Sequence, residues 1–261
     1  MEGSIFTRID PSIICMVLLV LMLIMIAFGN RMRKKFWSIE EGDTKGGVNA
    51  LLGALFGLWS FILAFTFGQS GSRFENVRSI IVDEANSLRT TIIRADLFPD
   101  SIRNAYRVDL RKYLEERIAY YEYAGNYDKF KKNREELSQT AKALWATTVY
   151  CSKRSDLSVP TAAMALNLTS LFDLGIKREA MLNAGIPNPI SFLLIVLALA
   201  ISFVGGFTTP TIKRKEWLVI AVFAFLATIV LYLTIDLARP MEGLIKPDTG
   251  QTTIANLRAL F

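Results

Sequence analysis

The sequence predicts an all-helical membrane protein, with four transmembrane helices and a helical extramembrane domain between the second and third spans. Two observations carry the membrane assignment. Of the 261 residues, 52% are hydrophobic, above the roughly 45–50% of a soluble domain. The excess is gathered into four stretches of about 20 residues, the length that crosses about 30 Å of hydrocarbon. A third observation sets the class of the rest: residues 71–188 show apolar residues at three-four spacing and no useful run of strand-like alternation.

The first span runs from about residue 12 to 29. It is too long for a typical cleaved leader, and no small-x-small site follows it. Cys15 precedes the apolar run instead of following it, so a lipoprotein leader is not expected either. The second span covers about 48–68 and completes a first hairpin, residues 1–70. A bilayer offers the backbone no hydrogen-bond partners, so all the spans are expected to be helices. Apolar periodicity continues from Arg73 through Arg94 without a breaking proline, until Pro99-Asp100 stops the chain and re-caps it. The next helix carries Ile102, Tyr106, Leu110, Tyr113 and Leu114 on one face, and Gly125-Asn126 is expected to end it. A third extramembrane helix carries Leu137, Ala141, Leu144, Trp145 and Val149, and a fourth starts near Pro160. Ile186-Pro187-Asn188-Pro189 breaks the chain before the third span. The third and fourth spans, about 190–207 and 217–235, form a second hairpin within residues 189–236. Residues 237–261 remain as a C-terminal return segment.

Composition removes whole classes of function. Histidine is absent and the only cysteines are Cys15 and Cys151. Imidazole catalysis, His-ligated metal and a Cys/His nucleophile are therefore excluded. A disulfide is not expected, because Cys15 lies inside an apolar helix that Cys151 should not reach. No enzyme activity, cofactor or metal is expected. The net charge of +6 is modest and does not argue for a nucleic-acid partner.

Charge also bears on orientation. The two short inter-span loops hold Arg31, Arg33, Lys34, Lys35, Lys45, Lys213, Arg214 and Lys215. The positive-inside rule puts these loops in the cytoplasm and the helical domain with both termini outside. Labelling of Cys151 by an impermeant thiol reagent would test this. Arg31 to Lys35 serve as a topology anchor or recruit anionic lipid headgroups. Lys129, Lys131, Lys132 and Arg134, set among Glu122, Glu135 and Glu136, read as a solvated helix face. Tyr120, Tyr121 and Tyr123 fit either a binding surface or packing within an oligomer.

The second span carries the most information. Gly57, Phe61 and Phe65 recur every four residues and so share one helix stripe. Gly53 and Gly57 form a small-xxx-small pair that would admit a neighbouring helix closely. The stripe either faces lipid or another helix, or surrounds a symmetry axis as an apolar constriction. The positive edge of an aromatic ring tolerates a passing anion, and a narrow apolar neck gates by dewetting. Asn49 and Ser60 suit interhelical hydrogen bonds or ion contact. Glu75 and Glu84 either line a vestibule or pair with Arg78 and Arg89.

Phenylalanines four apart, then Arg73-Phe74 eight residues on, then Glu84, Asn86, Ser87 and Arg89, resemble the pore helix of bestrophins. Arg239-Pro240-Met241-Glu242-Gly243, leading into Thr252 through Leu260, is similar to that family's turn and return segment after the last span. The layout most resembles the bacterial bestrophin-like domain proteins. The resemblance implies a homo-oligomer, a pentamer, ringed around its second spans in the cell (inner) membrane. It implies passive ion conduction with anion preference, through a neck of Gly57, Phe61 and Phe65 continued by Arg73, Phe74, Glu84, Asn86, Ser87 and Arg89. Partners would be other copies of the chain, membrane lipids and the permeant anion.

Two departures shape the expectation. Gly57 stands where a branched aliphatic is usual, giving a shorter or wider constriction. The acidic run of the animal members' calcium clasp is missing, with only Glu242 and Asp248 nearby, so calcium binding is not carried over. The family also places its helical domain in the cytoplasm, opposite to the loop charges, and the side stays open. The alternative is a non-conducting membrane-anchored sensor or scaffold whose helical domain binds a partner.

Overall fold

The computed structural model describes residues 10–36, 44–123, 127–183, 186–209, 214–240 and 243–261, and every regular element among them is helical. The α-helices are α1 (Pro11–Phe36), α2 (Thr44–Arg94), α3 (Asp100–Glu122), α4 (Tyr127–Ser152), α5 (Ser158–Asn183), α6 (Asn188–Thr208), α7 (Arg214–Leu237) and α8 (Asp248–Ala255). Short 3-10 turns at Ala95–Leu97, Ser155–Leu157 and Asn256–Leu260 join or end them. The expected terminator Gly125-Asn126 lies outside the described residues, as do Met241 and Glu242 of the turn after the last span.

The chain divides into two compact units, Met1–Ser72 with Gly185–Ala238, and Arg73–Ala184 with Arg239–Phe261. The 51-residue α2 supplies side chains to both. In the first unit, α1 packs on α6 and α7 around Leu18, Met22, Leu194, Ala198, Ala224 and Leu231. The start of α2 is pinned there by Trp59, whose buried indole N–H donates to the Leu194 carbonyl at 3.0 Å. Phe56 adds a ring contact to Phe223 at 5.1 Å. Within this unit the close helix approach is not at Gly53 and Gly57: a Cβ built on either meets nothing within 4 Å of its own chain. It falls between Gly29 of α1 and Gly206 of α6, where a Cβ would come within 2.2 Å of the Phe203 carbonyl oxygen and 2.1 Å of that of Ile26, respectively.

The second unit is a bundle of the end of α2 with α3, α4, α5 and the C-terminal segment. Val77, Ile81, Leu88 and Ile92 of α2 are buried at helical spacing against Tyr106, Leu110 and Leu114 of α3 and Met164, Leu168 and Leu171 of α5. Ile254 and Leu257 complete this core, so the described part of the C-terminal segment, residues 243–261, packs as part of the bundle. Asp100 does not stand outside α3 as a cap. It is the first residue of the helix, where Pro99 accepts the first amide hydrogens and Asp100 pairs with Arg103 at 2.7 Å. The face expected on α4 is only partly interior: Leu144 is buried, but Trp145 and Val149 are exposed on the unit's surface.

Five described helices are long and apolar enough to cross a bilayer, against the four expected, the additional stretch being Ser155–Leu182. Length and composition do not separate a span from a core helix here. In α5, Met164, Leu168 and Leu171 are fully buried inside the second unit, and the same helix carries Lys177, Arg178 and Glu179.

Candidate functional site: the α2 stripe and a buried ion triad

Along α2 the candidate residues occupy different faces. Trp59, Leu63 and Thr66 turn into the first unit. Phe61 and Phe65, on the other side of the helix, are 72% and 58% exposed, and Gly57 between turns is exposed as well. Of three further residues of the predicted continuation, Phe74 is half-buried, and Asn86 and Arg89 are exposed. Arg73 is half-buried and donates from Nη2 to the Met181 carbonyl. Ser87 contributes its backbone carbonyl, which accepts from Thr91 Oγ1 at 2.8 Å and from Asn167 Nδ2 at 2.9 Å, docking α5 on α2.

Glu84 behaves otherwise. It is 1% exposed, and its partner is not Arg89. Five residues apart on a helix, the two project about 140° away from each other. The Glu84 carboxylate instead lies between two guanidiniums, with Arg117 Nε at 2.6 Å from Oε1 and Arg178 Nη1 at 2.9 Å from Oε2. Both are charge contacts outside hydrogen-bond alignment. Glu75, by contrast, pairs with Arg78 at 3.5 Å on the surface, one of its two expected roles.

The triad is built by α2, α3 and α5, and aromatic rings enclose it. The Arg178 guanidinium lies 4.8 Å from the Tyr120 ring centroid, and that of Arg117 lies 5.4 Å from the Tyr113 ring. Gly175 is required: a Cβ there would stand 2.0 Å from Arg117 Nη2. Burial pushes the Tyr113 and Tyr120 phenols above their ordinary pKa, so both rings stay neutral beside the cations. Burial also works against the charge on Arg117, and the Glu84 carboxylate beside it favours that charge.

Arg117, Arg178 and Gly175 were not singled out by the sequence, although a signal existed. Tyr106, Leu110, Tyr113, Arg117 and Tyr120 follow one buried four-three stripe, and so do Met164, Leu168, Leu171, Gly175 and Arg178. A cation on the interior stripe of an amphipathic helix needs a buried counter-charge.

Beside the triad, a cavity of about 620 Å³ opens between α3, α4 and α5. Arg117, Arg134, Lys142 and Glu179 are its charged lining, and Tyr113, Tyr120, Trp145 and Phe172 its aromatic walls. Arg134 pairs with Glu179 at 2.7 Å. Among the described residues no cluster of three or more His, Cys, Asp or Glu side chains could hold a metal ion.

Comparison with known proteins gives the class first. The fold matches that of a bacterial bestrophin homolog from Klebsiella pneumoniae, at a TM-score of 0.68 and 13% identity over 94% of this chain and 97% of that one. A single-substitution variant of that homolog matches at 0.66 and 15% identity, covering 100% and 99% of the two chains. A structure described as a membrane protein variant matches at 0.67 and 13% identity, covering 94% and 97%. The Bestrophin-like domain model matches residues 14–246. The chain belongs to the bestrophin-like family, and with its several apolar helices it is a multi-pass membrane protein. A search of curated protein sequences finds no match.

Proposed function

We propose that the chain is a four-span subunit of a homo-oligomeric ion channel, a pentamer, with α2 from each copy lining a central axis. Gly57, Phe61 and Phe65 form its neck, and the permeant ion is an anion. The observation that carries this reading is the exposure of Phe61 and Phe65. Two large apolar side chains on the helix turn opposite Trp59 and Leu63 have no cover within their own subunit. Membership of the bestrophin-like family supports the ring arrangement. α5 belongs to the extramembrane bundle in this reading, because a span would have to carry Arg178, a cation paired with Glu84, into the bilayer.

The neck works by two properties of benzyl rings. Copies facing one another exclude a stable water column at rest, and once the neck widens their positive edges favour an anion over a cation. Glu84, on the same helix, is gripped by α3 and α5, which ties α2 to the bundle. The test is chloride efflux from liposomes. Phe61→Ala with Phe65→Ala should raise the efflux rate several-fold over wild type. An unchanged, nonzero rate would remove these residues from the neck, and no flux from either protein would favour a membrane-anchored sensor or scaffold.

A further inference from the structure

The cavity between α3, α4 and α5 has the features of a ligand site. Its volume of about 620 Å³ falls within the roughly 300–1,000 Å³ typical of small-molecule pockets. Tyr113, Tyr120, Trp145, Phe172, Leu137 and Ala141 make most of the lining apolar. Its lining charges are Arg117, Arg134 and Lys142 with Glu179, and with Glu84 and Arg178 of the adjoining triad counted, cations still outnumber carboxylates. Glu179 pairs with Arg134 Nη2 at 2.7 Å, and a guanidinium presents its donors in a planar fork that suits a carboxylate. The charges are also spaced in depth. The Arg117 side chain is 7% exposed and Arg134 is 57% exposed, while Lys142 is exposed.

We propose that this cavity binds an amphipathic organic carboxylate, its aromatic or aliphatic body against Trp145, Phe172 and Leu137 and its carboxylate among Arg117, Arg134 and Lys142. Arg117, which bounds the cavity, is also the residue that holds Glu84 of α2. The site stands apart from the conduction reading, since its test reads binding and not flux.

The probe is 3-phenylpropionate, titrated calorimetrically into the full-length protein in lipid nanodiscs, beside the isosteric neutral amide 3-phenylpropanamide. The acid should bind saturably, one per chain, and at least tenfold more tightly than the amide. Arg134→Gln and Lys142→Gln should each weaken the acid several-fold. Ala141→Trp, which fills the cavity from its half-buried wall, should abolish binding while the thermal unfolding midpoint stays near wild type. Should Ala141→Trp unfold, Thr169→Trp on the exposed rim takes its place with the same expectation. Equal binding of acid and amide, unchanged affinity in the filled variant, or no saturable binding at millimolar acid would each overturn the proposal.

Discussion

Glu84, Arg117 and Arg178 illustrate how a buried charge is tolerated only as a set. Each pays a desolvation cost that the mutual contacts offset, and removing Glu84 leaves two buried cations uncompensated. Glu84→Gln is expected to destabilise the second unit by about 3–5 kcal/mol, read as a lowered denaturation midpoint in detergent. Glu75→Gln, at an exposed pair, should leave the midpoint unchanged. Gly175→Ala should act through the same triad, since its methyl group displaces Arg117 from beside Glu84. Cys151 has its own consequence. It is fully buried in the core beside Tyr106, and burial raises its thiol pKa. An impermeant maleimide at neutral pH is expected to leave it unlabelled from either side until the protein is denatured. A cysteine placed at Val159, 80% exposed, would report the side of the bundle instead.

At the scale of elements, α1 and α6 are joined by two devices. Gly29 and Gly206 let their backbones touch, and the end of α1 caps the end of α6. Asn30 Nδ2 donates to the Thr209 carbonyl and Arg33 Nη1 to that of Thr208, both at 2.6 Å. The basic run at the end of α1 thus supplies a cation to a helix C-terminus. Gly206→Val would meet backbone, which cannot turn aside as a side chain can. A loss of about 1–3 kcal/mol is expected, read as a lowered unfolding midpoint of the detergent-solubilised protein. The C-terminal segment is held differently, by Arg258 on Glu115 at 2.8 and 2.5 Å. That hydrogen bond depresses the Glu115 pKa below the usual carboxylate value. The contribution is therefore present above the unfolded-state pKa and disappears as pH falls through the lower folded value. Protection factors of amides in residues 251–261, with exchange corrected for its intrinsic pH dependence, should fall on acidification through this range, and Arg258→Gln should remove that fall.

For the whole molecule, the unpartnered face of α2 predicts assembly. Phe61→Cys is expected to cross-link between copies under mild oxidation, because a residue at a shared axis lies near its own symmetry mates. The native thiols do not interfere, since Cys15 and Cys151 are both buried. Each thiol can join only one other, so a disulfide-linked dimer on a non-reducing denaturing gel is the expected result. A monomer band alone would place Phe61 away from any axis.

Sequence by itself determined the helical class, the apolar stretches and the family, because hydrophobic period and run length are local properties of the chain. The α2 helix was legible as far as Arg94 because no proline interrupts it. Glu84 was legible as a candidate but not in its partnership. Its partners stand on α3 and α5, and which arginine reaches it depends on how three stripes meet. Tertiary structure alone decided that partnership, the moving of the close glycine contact from Gly53 and Gly57 to Gly29 and Gly206, and the cavity beside the triad. Each arises where side chains far apart in sequence converge, and periodicity along one helix specifies the face that is buried but not the residue it meets.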